Sequence, residues 1–110
     1  MTLPAIIHWR YRLGRVYFAL GRANLVKVGF TTIPVGDRIA QLNDTSPYHL
    51  YGSYRLLFDM PAESQVIERE IHQWLASSRA FPGAKKRELF RLTNDVKLMI
   101  RAGQAVAEFG

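Results

Sequence analysis

Three polar side chains occupy places where packing alone would favour apolar ones. Tyr17 falls between the apolar positions Val16 and Phe18 in Arg15-Val16-Tyr17-Phe18-Ala19-Leu20. Arg38 lies about 60° around a helix from Val35, beside the stripe Val35, Ile39, Leu42 rather than opposite it. Glu68 lies about 20° from Leu75 and 60° from Ile71 on a second helix, at the edge of its apolar face. A half-buried carboxylate is costly unless it is paired or meets a cation. A half-buried guanidinium needs an anion. The plain account is an Arg38–Glu68 ion pair, with Tyr17 an ordinary strand aromatic. His72 follows Glu68 by one helical turn, so both can face one site. It could hold a phosphate, relay a proton or simply be a satisfied structural histidine. Glu88 could reach the same place or fix a loop through Arg87 or Arg91, and Asn43 and Thr31 are hydrogen-bonding groups at element ends.

The elements that must position these groups follow from alternation and period. Val16, Phe18 and Leu20 alternate onto one face of a strand over 15–20, and Val26 and Val28 do the same over 25–29. Gly21-Arg22-Ala23-Asn24 is the turn between them. Both apolar sets share a face only in registers such as Val16 opposite Val28, which puts Tyr17 near Lys27 on the other, non-core face. Thr31 to Pro34 opens the first helix, with Pro34 in its first turn, and Asn43 to Pro47 closes it. A third strand is expected over 48–58. The long helix is expected over 62–78, with Ile67, Ile71, Trp74 and Leu75 as its core stripe. Residues 79–91 read as a basic loop. Thr93 is a candidate N-cap for a terminal helix over about 93–108 that carries Val96, Met99, Ile100 and Val106. The fold class is therefore α/β (α+β): a small three-stranded antiparallel sheet flanked by helices, one domain over 1–110.

Composition narrows the function. The 110 residues contain no cysteine, which removes disulfides, thiolate metal sites and cysteine nucleophiles. The histidines His8, His49 and His72 are far apart, so a zinc cage is not expected. No apolar run is long enough for a membrane helix and no secretory leader is visible, so a cytoplasmic protein is expected. The formal charge is +6 with a pI near 10.1, which favours a polyanionic partner. Arg15, Arg79, Lys85, Lys86 and Arg87, with Arg10, Arg12 and Arg22, are candidates to track a nucleic-acid backbone. Trp9, Tyr11 and Tyr48 could stack on unpaired bases.

Val16-Tyr17-Phe18, Lys27-Val28-Gly29-Phe30-Thr31, Arg38, Leu42, Glu68-Arg69-Glu70-Ile71-His72 and Arg87-Glu88-Leu89-Phe90 come in one order and spacing. That series resembles the GIY-YIG nuclease superfamily, in its phage-associated branch, over about residues 14–93. The resemblance implies endonucleolytic hydrolysis of DNA with Mg²⁺ or Mn²⁺. It implies Tyr17 beside the attacking water, Arg38 on the scissile phosphate and Glu68 as the metal ligand, with Lys27 and His72 in support. Lys27 stands where better-studied members carry their second signature tyrosine, so it would supply charge or act as a base rather than align water as a phenol. No separate sequence-reading domain is visible. Low sequence specificity is therefore expected, with targeting by DNA structure, by a protein partner or by a homodimer. The competing expectation is a catalytically inert module of the same fold that binds nucleic acid or protein.

Overall fold

A computed structural model of the chain describes residues 14–44, 48–81 and 88–109. The strands β1 (Gly14–Leu20) and β2 (Leu25–Thr31) form the expected hairpin around a 3-10 turn at Arg22–Asn24. Ala23 and Asn24 both turn through positive φ there, which Asn tolerates well and Ala less so. The register is Phe18 opposite Val28 and Tyr17 opposite Gly29, two residues away from the expected Val16–Val28 pairing. A shift of two keeps every side chain on its face, so alternation alone does not separate these registers.

Helix α1 (Val35–Asp44) starts immediately after Pro34 and buries Val35 and Leu42. The next strand, β3 (Arg55–Ala62), begins seven residues later than the expected boundary. The aromatic run before it forms a 3-10 turn at His49–Tyr51. Asn43 fixes the exit from that turn: Tyr54 N–H donates to Asn43 Oδ1 at 2.6 Å, and Asn43 Nδ2 donates to the Tyr54 carbonyl at 3.2 Å. Helix α2 (Gln65–Trp74) is capped by Ser64, whose hydroxyl accepts from Val66 N–H at 3.2 Å. A 3-10 turn at Ala76–Ser78 completes the segment expected to be one helix. Strand β4 (Leu89–Arg91) was expected as loop and makes the sheet four-stranded. Helix α3 (Asn94–Phe109) starts after Thr93, whose Oγ1 accepts from Val96 N–H at 3.5 Å as a cap.

The sheet is antiparallel with order β3-β1-β2-β4. Both faces are covered. Val16, Phe18, Val26, Val28, Phe58 and Phe90 pack under α2 and α3 through Ile71, Leu75, Val96 and Ile100. Tyr17, Ala19 and Leu89 pack on the opposite face with Val35 and Leu42 of α1, Tyr54 and Ala80. The face expected to be non-core is thus a second buried layer. Two expected core residues are exposed instead: Trp74 at 75% and Val106 at 68%. Among the described residues no helix is long and apolar enough to cross a membrane.

Candidate active site

Tyr17 and Gly29 are direct partners across the hairpin, and Lys27 precedes Gly29 by two residues on the same face. Tyr17 and Lys27 are both fully buried. A Cβ on Gly29 would lie 2.3 Å from Tyr17 Oη and 2.9 Å from Lys27 Nζ. The missing side chain is therefore the space in which the phenol and the ammonium sit. A lysine on the outer face of a strand is usually solvated, but here α1 and the 48–54 segment cover that face. Lys27 Nζ donates to Glu88 Oε1 at 2.7 Å and stands 4.7 Å from the centre of the Tyr48 ring. Tyr48 donates its hydroxyl to the other carboxylate oxygen, Glu88 Oε2, at 3.0 Å. Glu88 itself is placed by the backbone, because its carbonyl accepts Val28 N–H at 2.9 Å where the β4 ladder ends.

Helix α2 supplies the remaining groups. Glu68 and His72 are one turn apart, and His72 Nε2 lies 3.9 Å from Glu68 Oε1. That same nitrogen is 2.9 Å from the Val28 carbonyl. A carbonyl only accepts, so Nε2 carries the proton and has no lone pair for a cation. His72 therefore ties α2 to the edge of β2 and also lies in the acid cluster. One ligand-type atom from each of Glu68, His72 and Glu88 falls within 4.8 Å of the others.

Burial, and then the charge of Glu88, raise the Glu68 carboxyl to about 7, against opposing pull from Lys27, Arg69 and Arg38. Burial acts upward on Glu88 too, but the charge and hydrogen bond of Lys27, with the Tyr48 hydrogen bond, outweigh it and hold this carboxyl below its ordinary range. Burial lowers His72, which keeps the ring neutral. The Tyr48 phenol is raised by burial and by Glu88. The site thus holds one carboxylate firmly charged and a second that resists charging beside it.

Arg38 and Glu68 do not form the ion pair that a purely structural account requires. Arg38 is half-buried and donates to Gln41 Oε1 at 3.1 Å, while its charge still acts on Glu68. Tyr17 Oη is buried and has no hydrogen-bond partner among the described residues, an uncommon and costly state for a phenol. Of the side chains expected from sequence, Tyr17, Lys27, Glu68 and His72 come together, with Arg38 acting at the Glu68 end. Arg15 is instead ion-paired with Asp59. Arg79 is part-exposed beside β4, while Lys85, Lys86 and Arg87 lie outside the described residues, as do Trp9, Tyr11, Arg10 and Arg12. Thr31 is occupied locally with Ile33, and Asn43 with Tyr54. Tyr48 had no periodic signal, being in a turn. Glu88 had one: an acid among basic residues, immediately before an apolar pair.

The family model for the T5orf172 domain matches residues 14–103, and the chain belongs to that family. No curated protein and no solved structure matches it.

Proposed function

We propose that this T5orf172-domain protein is a GIY-YIG-type endonuclease that hydrolyses phosphodiester bonds of nucleic acid, most readily DNA, with Mg²⁺ or Mn²⁺. The family's association with nuclease-type and DNA-binding roles supports this reading. The observation that carries it is an unsatisfied buried phenol, Tyr17, beside the Lys27–Glu88 pair, together with a carboxylate, Glu68, raised by burial and by Glu88. Two crowded carboxylates fit a hard divalent cation, which takes oxygen ligands and keeps waters and phosphate oxygens as the rest. Glu68 would be the main ligand, because Lys27 and Tyr48 already occupy Glu88. The bound cation would polarise the phosphate and offset charge on the leaving oxygen.

The chain's own groups divide the remaining work. The Tyr17 hydroxyl has no hydrogen-bond partner among the described residues, so it is free to hydrogen-bond and orient the attacking water. Arg38 gives up only an exposed bond to Gln41 when it turns to a phosphate, a low-cost exchange. Lys27 works through Glu88: it keeps that carboxylate charged, and the charge in turn makes Glu68 receptive to a cation. Among the described residues no specificity element accompanies these groups, and the reading includes low intrinsic sequence preference, with targeting by DNA structure, a protein partner or a second copy.

Cleavage of labelled single- and double-stranded DNA in Mg²⁺, Mn²⁺ or EDTA tests the reading. Wild type should cut with metal and not in EDTA, and a folded Glu68→Ala variant should lose at least about 10²-fold in rate. Cutting that survives the substitution would remove Glu68 from the mechanism. Retention of DNA without cutting under any metal would leave an inert binding module.

A further inference from the structure

The chain beyond α2 returns along the outer edge of β4. Arg79 bridges Phe90, and Ala80 N–H donates to the Leu89 carbonyl at 3.0 Å. Directly opposed residues in such a pair share a face of the sheet. Ala80 and Leu89 both belong to the Tyr17 layer, whereas Phe90 belongs to the layer under α2 and α3. By this alternation Arg79 leaves the sheet on the α2 side, next to Phe90. The Phe90 ring is 5.4 Å from that of His72, and the charge of Arg79 acts on His72. Arg79 therefore stands at the His72 end of the acid cluster, while Arg38 and Arg69 act on Glu68.

Its bonding is incomplete. Arg79 Nε is buried and has no hydrogen-bond partner, and Arg79 joins no ion pair among the described residues. Two other cations of the sheet, Arg15 and Lys27, are committed to Asp59 and Glu88. The hydroxyls of Ser78 and Thr93 are bonded to each other at 2.6 Å, and neither meets Arg79 Nε. A guanidinium offers Nε–H and Nη–H side by side, a fork that matches two oxygens of one phosphate. A buried, unused Nε–H is half of that fork, and leaving it unmet is unfavourable.

We propose that Arg79 is a second phosphate-binding residue, which takes the nucleic-acid phosphate next to the scissile one at the His72 end of the site. The inference rests on the reading of this site as one for nucleic acid. It assigns Arg79 to holding the strand in place, apart from the residues that act on the broken bond.

The test is binding without turnover. A fluorescent DNA oligonucleotide is titrated in EDTA across a series of salt concentrations with wild type, Arg79→Ala and Arg79→Lys. Arg79→Ala should bind about tenfold more weakly, and its log K against log salt slope should fall by about 0.9 for a lost contact to duplex, or 0.7 to a single strand. Arg79→Lys should keep the slope and recover part of the affinity, because it retains charge but not the fork. Thermal melts of both variants confirm that they are folded, and the Lys variant carries the test if the Ala variant is not. Wild-type affinity and slope in Arg79→Ala would overturn the inference and leave the nuclease reading intact. The same holds if Arg79 binds through charge alone, so that the Lys variant equals wild type and no fork is used. If wild type retains no DNA at all, the nucleic-acid reading fails and this inference fails with it.

Discussion

Glu68→Gln should make the metal-free protein more stable at pH 8 and not at pH 4.5. The Glu68 carboxyl is raised from 4.5 to about 7, and its side chain is only 15% exposed, so screening by solvent is modest. For a carboxyl raised in the folded state, the native protein binds the proton more tightly than the unfolded chain. Stability is then greatest below the unfolded value and falls as pH rises toward the folded one. Across that window the native state carries one proton more, and each pH unit costs about 1.4 kcal/mol. The full penalty, reached above pH 7, is about 3 kcal/mol. Gln cannot ionise, so it removes the pH-dependent part while keeping the shape. Urea unfolding in EDTA at pH 4.5, 6 and 8 measures it. The difference between variant and wild type should grow by about 3 kcal/mol over the series. A saturating divalent cation at pH 8 should then stabilise wild type, by about 2.7 kcal/mol at a hundred times its Kd, and leave the variant unmoved. A pH-independent difference would refute the claim that Glu68 is held uncharged by burial and by Glu88. Equal stabilisation of both proteins by the cation would refute Glu68 as its ligand.

Gly29→Ala should destabilise the protein by about 3 kcal/mol in urea unfolding, the upper range for overpacking. The new Cβ would meet Tyr17 Cζ at 2.5 Å, and that ring is fully buried and cannot retreat. Lys27→Met should also cost about 3 kcal/mol, the low end for breaking a buried pair, since the Glu88 side chain is 30% exposed and keeps Tyr48. A double-mutant cycle with Glu88→Gln checks this, and a coupling near zero would show that the contact contributes nothing.

The parts of this fold that were legible in sequence are those where period and face coincide. Alternation in β1 and β2 identified the hairpin, and the stripe Val35, Ile39, Leu42 identified α1. Thr93 as a cap located the start of α3. Alternation states which residues share a face, but not whether the second face is covered as well. Tyr17 and Lys27 were therefore read as lying outside the core, whereas α1 and Tyr54 enclose them. The β3 boundary was misplaced because Tyr48 to Tyr54 have the composition of a strand but are bound into a turn by Asn43. Strand β4 has three residues, too few for any period to show. The candidate site was legible in its separate members: Glu68 and His72 by helical spacing, Arg38 by its angle to a stripe. The contact between Lys27 and Glu88 spans 61 residues and depends on β4, so no local pattern reports it.

The shortness of β4 explains how side chains from opposite faces of a sheet come to share one site. Tyr17 and Lys27 belong to the α1 face, whereas α2 with Glu68 and His72 packs on the other. A full-length edge strand would keep these two sets apart. Instead the pairing of β4 with β2 stops at Leu89 opposite Lys27, and β2 continues to Thr31 without it. Just past that stop the Val28 N–H still takes the Glu88 carbonyl, while the Val28 carbonyl takes His72 from α2. One residue of β2 is thus bonded on both sides of the break, to the segment carrying one acid and to the helix carrying the other. Beyond that stop the carboxylates approach within 4.8 Å, and their mutual repulsion is the price of that approach. Lys27 offsets it chiefly for Glu88, because its short 2.7 Å contact is to that carboxylate and it reaches Glu68 through charge alone. What remains is an acid, Glu68, with no direct ion pair to a lysine or arginine among the described residues, near a phenol without a described partner and an arginine bonded to a neighbouring glutamine. A site required only for stability would favour a closed pair at that point. A carboxyl that resists charging until a cation arrives is the feature that, on the proposed reading, a cation and a phosphate together would complete.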